Sequence, residues 1–183
     1  MELIKKLETN RLILRSVKDT DLDDLFNNWS SDSITTKYLT FEPHTSKLQT
    51  KKFIENLKKS YNNNDFQWVI EYKENHQAIG IISGTHSYKY KCIELGYSIS
   101  SKYFNNGLMT EALKKISDYL LYDLNYNVIE AIIPSKNIAS IKVAQNIGMK
   151  LEATLSNRFI SKDDVIQDLL IYSKFSDRQC HYL

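Results

Sequence analysis

One corner of the sequence constrains the chain more than any other. Cys92-Ile-Glu-Leu-Gly-Tyr-Ser-Ile-Ser100 alternates apolar and polar residues, the period-two pattern of a strand with one buried face. Shortly afterwards Met109, Ala112, Leu113, Ile116 and Leu120 recur at three- and four-residue spacing, while Lys114, Lys115 and Asp118 fall elsewhere on the wheel. That spacing predicts an amphipathic helix. Asn105, Asn106 and Gly107 lie at the junction, where Asn can cap a helix and Gly accepts positive φ and the close approach of a ligand. Free backbone N–H groups at such a helix start can bind an anion. An ordinary strand-to-helix turn uses the same residues, so this window alone leaves both readings open.

The order continues beyond the helix. Asn127-Val-Ile-Glu-Ala-Ile-Ile133 reads as a buried, β-branched strand, and Asn137 to Met149 as a short helix stopped by Gly148. Strand, Asn-Asn-Gly turn, helix, strand, Asn-led helix, Gly, strand: this succession resembles the GNAT superfamily of N-acetyltransferases. The opening segment, Glu8-Thr-Asn-Arg-Leu-Ile-Leu-Arg15, resembles that of the RimJ/RimL-like branch, the ribosomal-protein-alanine acetyltransferases and their relatives. Read from its own alternation, with Leu12 and Leu14 opposite Arg11, Ile13 and Arg15, it is a strand.

The resemblance implies an α/β (α+β) fold, a single GNAT-like domain over residues 1–183 whose twisted, mixed, mostly antiparallel sheet is flanked by helices. It also implies acetyl-CoA as cosubstrate, no metal, and an amine as acceptor. The family's phosphate turn follows Gln/Arg-x-x-Gly-x-Gly/Ala; here those positions are Phe104, Asn105, Asn106, Gly107, Leu108 and Met109, of which only Gly107 matches. Phe104 brings no positive charge, so phosphate binding is expected from main-chain N–H groups of Asn105 to Thr110 and the helix dipole. The following Thr110-Glu-Ala-Leu113 matches the family's continuation. The strand before the turn, through Tyr97, Ser98 and Ile99, would hold the pantetheine arm with its backbone. Asn137-x-x-Ser140 and Asn146-Ile-Gly-Met149 resemble the signatures that complete the cofactor site.

Length and charge fit this picture. A chain of 183 residues, 42% hydrophobic, suits one domain with a sizeable core, and a formal charge of +2 gives no sign of a nucleic-acid or membrane partner. No apolar run is long enough to span a bilayer, and Met1 to Lys6 lacks the order of a signal peptide, so the cytoplasm is the expected compartment. Cys92 and Cys180 stand alone, without metal-ligand spacing. Thr85 to Lys91 is basic and aromatic but far short of a nucleic-acid stripe.

The remaining elements follow from pattern. Lys18 to Trp29 begins with acidic residues and repeats Leu22, Leu25, Phe26 and Trp29, a helix that packs on the sheet. Ser30 to Ser46 is a polar loop with a short turn of helix around Ile34 to Leu39. In the family this region walls the acceptor pocket, which makes Tyr38, Leu39 and Phe41 candidate substrate contacts; aromatic core packing is the competing reading. Ser46 to Ser60 is helical on Leu48, Phe53, Ile54 and Leu57. Gln67 to Tyr72 and Ala78 to Gly84 form a hairpin, and Lys150 to Leu155 with Val165 to Tyr172 a closing antiparallel pair around Asn157 to Asp164. The tail from Lys174 to Leu183 is expected to be marginally ordered.

Acyl transfer from a thioester to an amine needs a base for the ammonium, a donor for the oxyanion and an acid for the leaving thiolate. Many relatives place a Tyr acid four residues before the last Gly, a position held here by Ala144. The RimJ/RimL-like branch is associated instead with the Ser of Asn-x-x-Ser, which is Ser140; the bland alternative is a helix residue making local hydrogen bonds. Glu94 is the preferred base and Asp168 the second choice, each against the reading of an ordinary surface carboxylate. Asn137 caps a helix, holds the cofactor arm, or does both. An acetyl-CoA-dependent N-acetyltransferase acting on a protein N-terminal amine is the leading expectation. A small-amine (polyamine or antibiotic) acetyltransferase and a non-catalytic CoA-binding module are the alternatives, and the chain is expected to be a monomer or homodimer.

Overall fold

A computed structural model describes residues 4–61, 65–87 and 91–177. Eight strands form one sheet in the order β1-β2-β3-β4-β5-β6-β8-β7. They are β1 (Leu7–Glu8), β2 (Leu12–Arg15), β3 (Phe66–Tyr72), β4 (Gln77–Ser87), β5 (Cys92–Ile99), β6 (Val128–Pro134), β7 (Lys150–Ile160) and β8 (Ile166–Phe175). Every neighbouring pair is antiparallel except β5 and β6, which run parallel. A parallel step needs a crossover. The chain supplies it with α4 (Leu108–Asp118), continued by a wider π turn over Tyr119–Asp123.

Two helical layers cover the sheet. On β5, Ile93, Leu95, Tyr97 and Ile99 alternate with Cys92, Glu94, Gly96 and Ser98. The first set faces α4 and α5 (Ile138–Asn146), where Leu113, Ile116, Leu120 and Ala144 are wholly buried. The second set faces the helical segment of Asp19–Asp21, α1 (Leu22–Leu25) and the π turn Phe26–Ser30, whose Trp29 indole N–H donates to Ser98 Oγ at 3.1 Å. α2 (Ser33–Thr36) and α3 (Lys47–Ser60) complete that layer, with Trp29 and Phe53 rings 5.4 Å apart.

Several sequence boundaries shift. The opening strand is broken into β1 and β2, because the Thr9 hydroxyl accepts from Leu12 N–H while Thr9 N–H donates to Leu12 O, both at 3.0 Å, closing a tight reversal. On α3 the buried positions are Thr50, Ile54 and Leu57 with Phe53 half-buried, and the expected Leu48 is exposed, since it lies off the Thr50-Phe53-Ile54-Leu57 stripe. β7 runs on to Ile160, taking up the expected loop at Asn157 through register shifts after Leu151 and Leu155, with Asn157 at φ 55°. β4 extends to Ser87; residues 88–90 of the basic loop and Cys180 lie outside the described residues, as does the tail beyond Asp177.

A buried ionic cluster ties the first strands to the helical layer. Arg15, 8% exposed, donates to both carboxylate oxygens of Asp21 and to Glu71. Burial opposes charge on Glu71, but the hydrogen bonds from Arg15 and His76 outweigh it and hold this carboxyl below its ordinary value.

Candidate active site

The cleft begins where β5 and β6 part. Their pairing is confined to Cys92↔Val128, Ile93↔Ile129 and Glu94↔Glu130; past these residues β6 continues against β8 alone, and β5 against β4 as far as Ile99. One edge of β5 from Leu95 to Ile99 therefore carries main-chain groups outside any strand ladder, a strip that an extended amide-bearing ligand can pair with.

At the mouth of this V stands the turn. Ser101–Tyr103 forms one 3-10 turn, Phe104 is extended (φ −63°, ψ 153°), Asn105 is left-handed at φ 60°, and Gly107 is left-handed at φ 72°. Such a path turns successive N–H groups outward at the helix start, as in anion-binding nests. Leu108 and Met109 point their side chains into the core, at 2% and 7% exposure, so Met109 in place of a small residue does not fill the turn. The expected Asn cap is absent: the N-cap is Gly107, without a side-chain cap hydrogen bond. Its carbonyl accepts instead from Glu111 N–H at 3.0 Å.

The second wall is the start of α5. Asn137 caps it, its Oδ1 accepting from Ser140 N–H at 3.2 Å. Tyr97 crosses from β5 and donates its hydroxyl proton to Ser140 O at 2.9 Å, so the start of α5 is fastened to β5. Burial pushes the Tyr97 phenol well above its ordinary range and the Ser140 contact only partly offsets it; the phenol stays protonated and acts as a donor. Ala144 is wholly buried. The sequence named Tyr97 for its main chain on the strand before the turn; that its side chain reaches α5 shows only in the fold.

Glu94 lies at the vertex of the V on the face of Trp29 and α1. It is half-buried, and burial first, then the like charge of Glu130, raise its carboxyl above the ordinary value. Glu130, unnoticed in the sequence, is its register partner on β6, so the two side chains share a face. The Cys92 thiol on the same face is pushed up to about 11, by burial first and then by Glu130, which makes it inert. Asp168 sits apart: its Oδ1 accepts from Asn157 N–H at 2.9 Å, holding the irregularity of β7. Among the described residues no group of three or more His, Cys, Asp or Glu could hold a metal ion, and no described helix is long and apolar enough to cross a membrane.

The loop after α2 forms the outer wall. Tyr38 donates to Lys136 O at 3.1 Å, bridging to the segment before α5. Leu39 packs against the core, and the Phe41 ring lies 5.6 Å from Trp29 and 5.5 Å from Phe53. Of the three candidate contacts, Tyr38 is the one hydrogen-bonded to the segment before α5. Lys162, from the β7–β8 turn, donates to Phe41 O at 2.6 Å and pins the wall from outside.

Comparison with known proteins fits this geometry. Residues 11–150 match the family described as Acetyltransferase (GNAT) domain. The chain is similar to the uncharacterized N-acetyltransferase YoaA of Bacillus subtilis (strain 168), 29% identical over 176 residues that cover 94% of this chain and 98% of that protein. Among solved structures it resembles RimL, a ribosomal L7/L12 α-N-protein acetyltransferase in complex with coenzyme A, with a TM-score of 0.80 at 16% identity, covering 96% of this chain and 100% of that one. It also resembles the spermidine N-acetyltransferase of Vibrio cholerae in complex with CoA and spermine, with a TM-score of 0.77 at 19% identity over 92% and 97% of the two chains.

Proposed function

Because the chain belongs to the GNAT family of acetyl-CoA-dependent N-acetyltransferases, we propose that its acceptor is the N-terminal amine of a protein, with Glu94 as base and Ser140 beside the leaving group. The observation that carries the assignment of the site is the end of β5–β6 pairing at Glu94↔Glu130, which puts a carboxylate at the vertex of a cleft lined by free main chain.

The residues fit the cosubstrate. The unladdered edge at Tyr97, Ser98 and Ile99 suits the amides of a pantetheine arm. The left-handed residues Asn105 and Gly107 and the amides through Thr110 suit its phosphates, and Asn137 and Ser140 border the arm from α5. Acetyl-CoA supplies the activated acyl group and a thiolate leaving group. Glu94 receives the ammonium proton of the acceptor, directly or through water, and burial with the like charge of Glu130 raises its basicity above that of an ordinary carboxylate. The Ser140 hydroxyl serves as hydrogen-bond donor toward the sulfur, a role that its weak acidity allows. Main-chain N–H groups of β5 stand as oxyanion donors.

Acceptor chemistry favours an α-amine over a polyamine. With a pKa near 7.7–8.0, about one α-amino group in ten is neutral at pH 7, whereas an alkylamine near 10.4 is neutral in fewer than about one in a thousand. A single carboxylate base suits the first better. The protein-acetylating neighbour RimL supports this reading; the spermine-bound neighbour is the reason to test it against small amines. The test is acetyl transfer to a mixed panel of N-terminal peptides, polyamines and aminoglycosides, read by mass spectrometry. Peptide α-amines should carry the label, and exclusive acetylation of a small amine would refute the choice.

A further inference from the structure

The phosphate turn has no cation of its own in sequence, yet the fold delivers one. Phe104 stands where the family's pattern has Gln or Arg, and Lys102, two residues earlier, is drawn to Asn28 Oδ1 at 3.0 Å in the helical layer opposite α4. Arg11, at the start of β2, arrives from the far end of the chain. Its Nη1 donates to Asn106 O at 3.0 Å, and its Nη2 lies 3.8 Å from where a Cβ on Gly107 would stand.

Glu111, one helical turn into α4, sets this position. Its Oε1 accepts from Arg11 N–H at 2.9 Å and from the Thr9 hydroxyl at 2.6 Å, and its Oε2 accepts from Arg11 Nε at 2.7 Å. Burial opposes the charge on Glu111, but these donors hold its carboxyl below the ordinary value, so it stays an anion that orients the guanidinium. A guanidinium has five N–H donors in a rigid fork. Nε is committed to Glu111 and Nη1 to Asn106, which leaves Nη2 without a protein partner among the described residues, on a side chain 45% exposed, against the glycine of the turn.

We infer that Arg11 is a phosphate ligand of the cofactor site, its Nη2 donating to a phosphate oxygen of the CoA nucleotide and supplying across the fold the charge that Phe104 lacks. This rests on the acetyl-CoA reading above. It replaces the expectation that main-chain amides and the helix dipole act alone. The hairpin of β1 and β2 becomes part of the site: its reversal at Thr9 presents both groups that grip Glu111.

The competing role is a structural tie that shapes the turn without touching ligand, and charge separates the two. Isothermal titration is run on wild type, Arg11→Gln, Arg11→Lys and Glu111→Gln with acetyl-CoA, S-acetyl-3′-dephospho-CoA and S-acetylpantetheine, after thermal melting confirms that each variant folds. Arg11→Gln should weaken acetyl-CoA binding about tenfold or more, the size of a lost charged hydrogen bond. Arg11→Lys, which keeps the charge, should lose less. S-acetylpantetheine, with no phosphate, should bind all four proteins alike. Glu111→Gln keeps the Arg11 charge while loosening its orientation and should lose less acetyl-CoA affinity than Arg11→Gln, whereas a mere tie predicts that Arg11→Gln and Glu111→Gln weaken in parallel. If the loss in Arg11→Gln disappears with the dephospho analogue, the 3′-phosphate is the group held; if it persists, the pyrophosphate is. Arg11→Gln binding acetyl-CoA within twofold of wild type, or losing S-acetylpantetheine equally, overturns the clamp alone. Absence of binding by the wild type overturns the cofactor reading with it.

Discussion

Gly107→Val tests whether backbone geometry governs the turn. Gly107 sits at φ 72°, ψ 2°, where an L-residue costs roughly 1–2 kcal/mol and a β-branched one stands at the upper end or beyond. Space is not the obstacle, since a Cβ there meets only Arg11 Nη2 at 3.8 Å, an ordinary contact. The whole effect is thus conformational: the variant relaxes the turn, and cofactor binding must restore the left-handed residue. A penalty of about 1–2 kcal/mol lowers acetyl-CoA affinity by about 5- to 30-fold. Gly107→Asn, a residue that tolerates this region, should stay within about threefold. Asn106→Ala should stay within about twofold, because Asn106 is exposed, makes no cap, and offers Arg11 its main-chain carbonyl. Titration calorimetry, after circular dichroism shows each variant folded, decides the matter. If Asn106→Ala loses binding while Gly107→Val keeps it, side-chain recognition rules the site and the backbone argument is wrong.

Three further outcomes follow from the same geometry. Glu94 must be ionised to act as a base, so kcat/KM should climb with pH through its raised pKa; Glu130→Gln removes one of the two causes and should move that limb to lower pH, while Glu94→Gln should cost about 10²-fold or more in kcat. A limb that does not move in Glu130→Gln separates the two carboxylates. Gly80→Ala places a Cβ 2.5 Å from Ser98 O and 2.9 Å from Ile99 Cα, both main chain, so β4 must shift from the cofactor strand: about 1–3 kcal/mol of stability should go, with a fall in Tm of about 2–4 °C per kcal/mol and a higher KM for acetyl-CoA. An unchanged Tm would show that the strands yield freely. Arg15→Met strands Asp21 and Glu71 in the interior and should cost about 3–5 kcal/mol at pH 7 by urea denaturation. Because the Glu71 carboxyl is held below 4.5, its share of wild-type stability is present above that value and is lost as pH falls through the lowered one, so the gap between variant and wild type should narrow in acid; a gap that widens there contradicts the assignment.

What the sequence determined by itself is what neighbours within a few residues dictate. The alternation of Cys92 to Ile99 gave the strand and its two faces, the three-four spacing gave the buried stripe of α4, and Gly107, Gly148 and Asn137 marked a left-handed turn, a helix stop and a cap that all stand in the structure. Local sterics and backbone hydrogen bonding act over that range and leave a mark in residue type. The tertiary structure alone decided which of those groups meet. Arg11 and Glu111 are a hundred positions apart, and nothing local to either says that a hairpin will lay one along the other. The Glu94↔Glu130 juxtaposition depends on a parallel pairing that ends at those residues. Tyr97 reaches Ser140 only because β5 and β6 part there. Likewise the aromatic signal at Phe41 was plain in the sequence, but only packing shows that its ring lies against Trp29. Alternation tells which residues share a face; only long-range pairing and burial tell what that face looks upon.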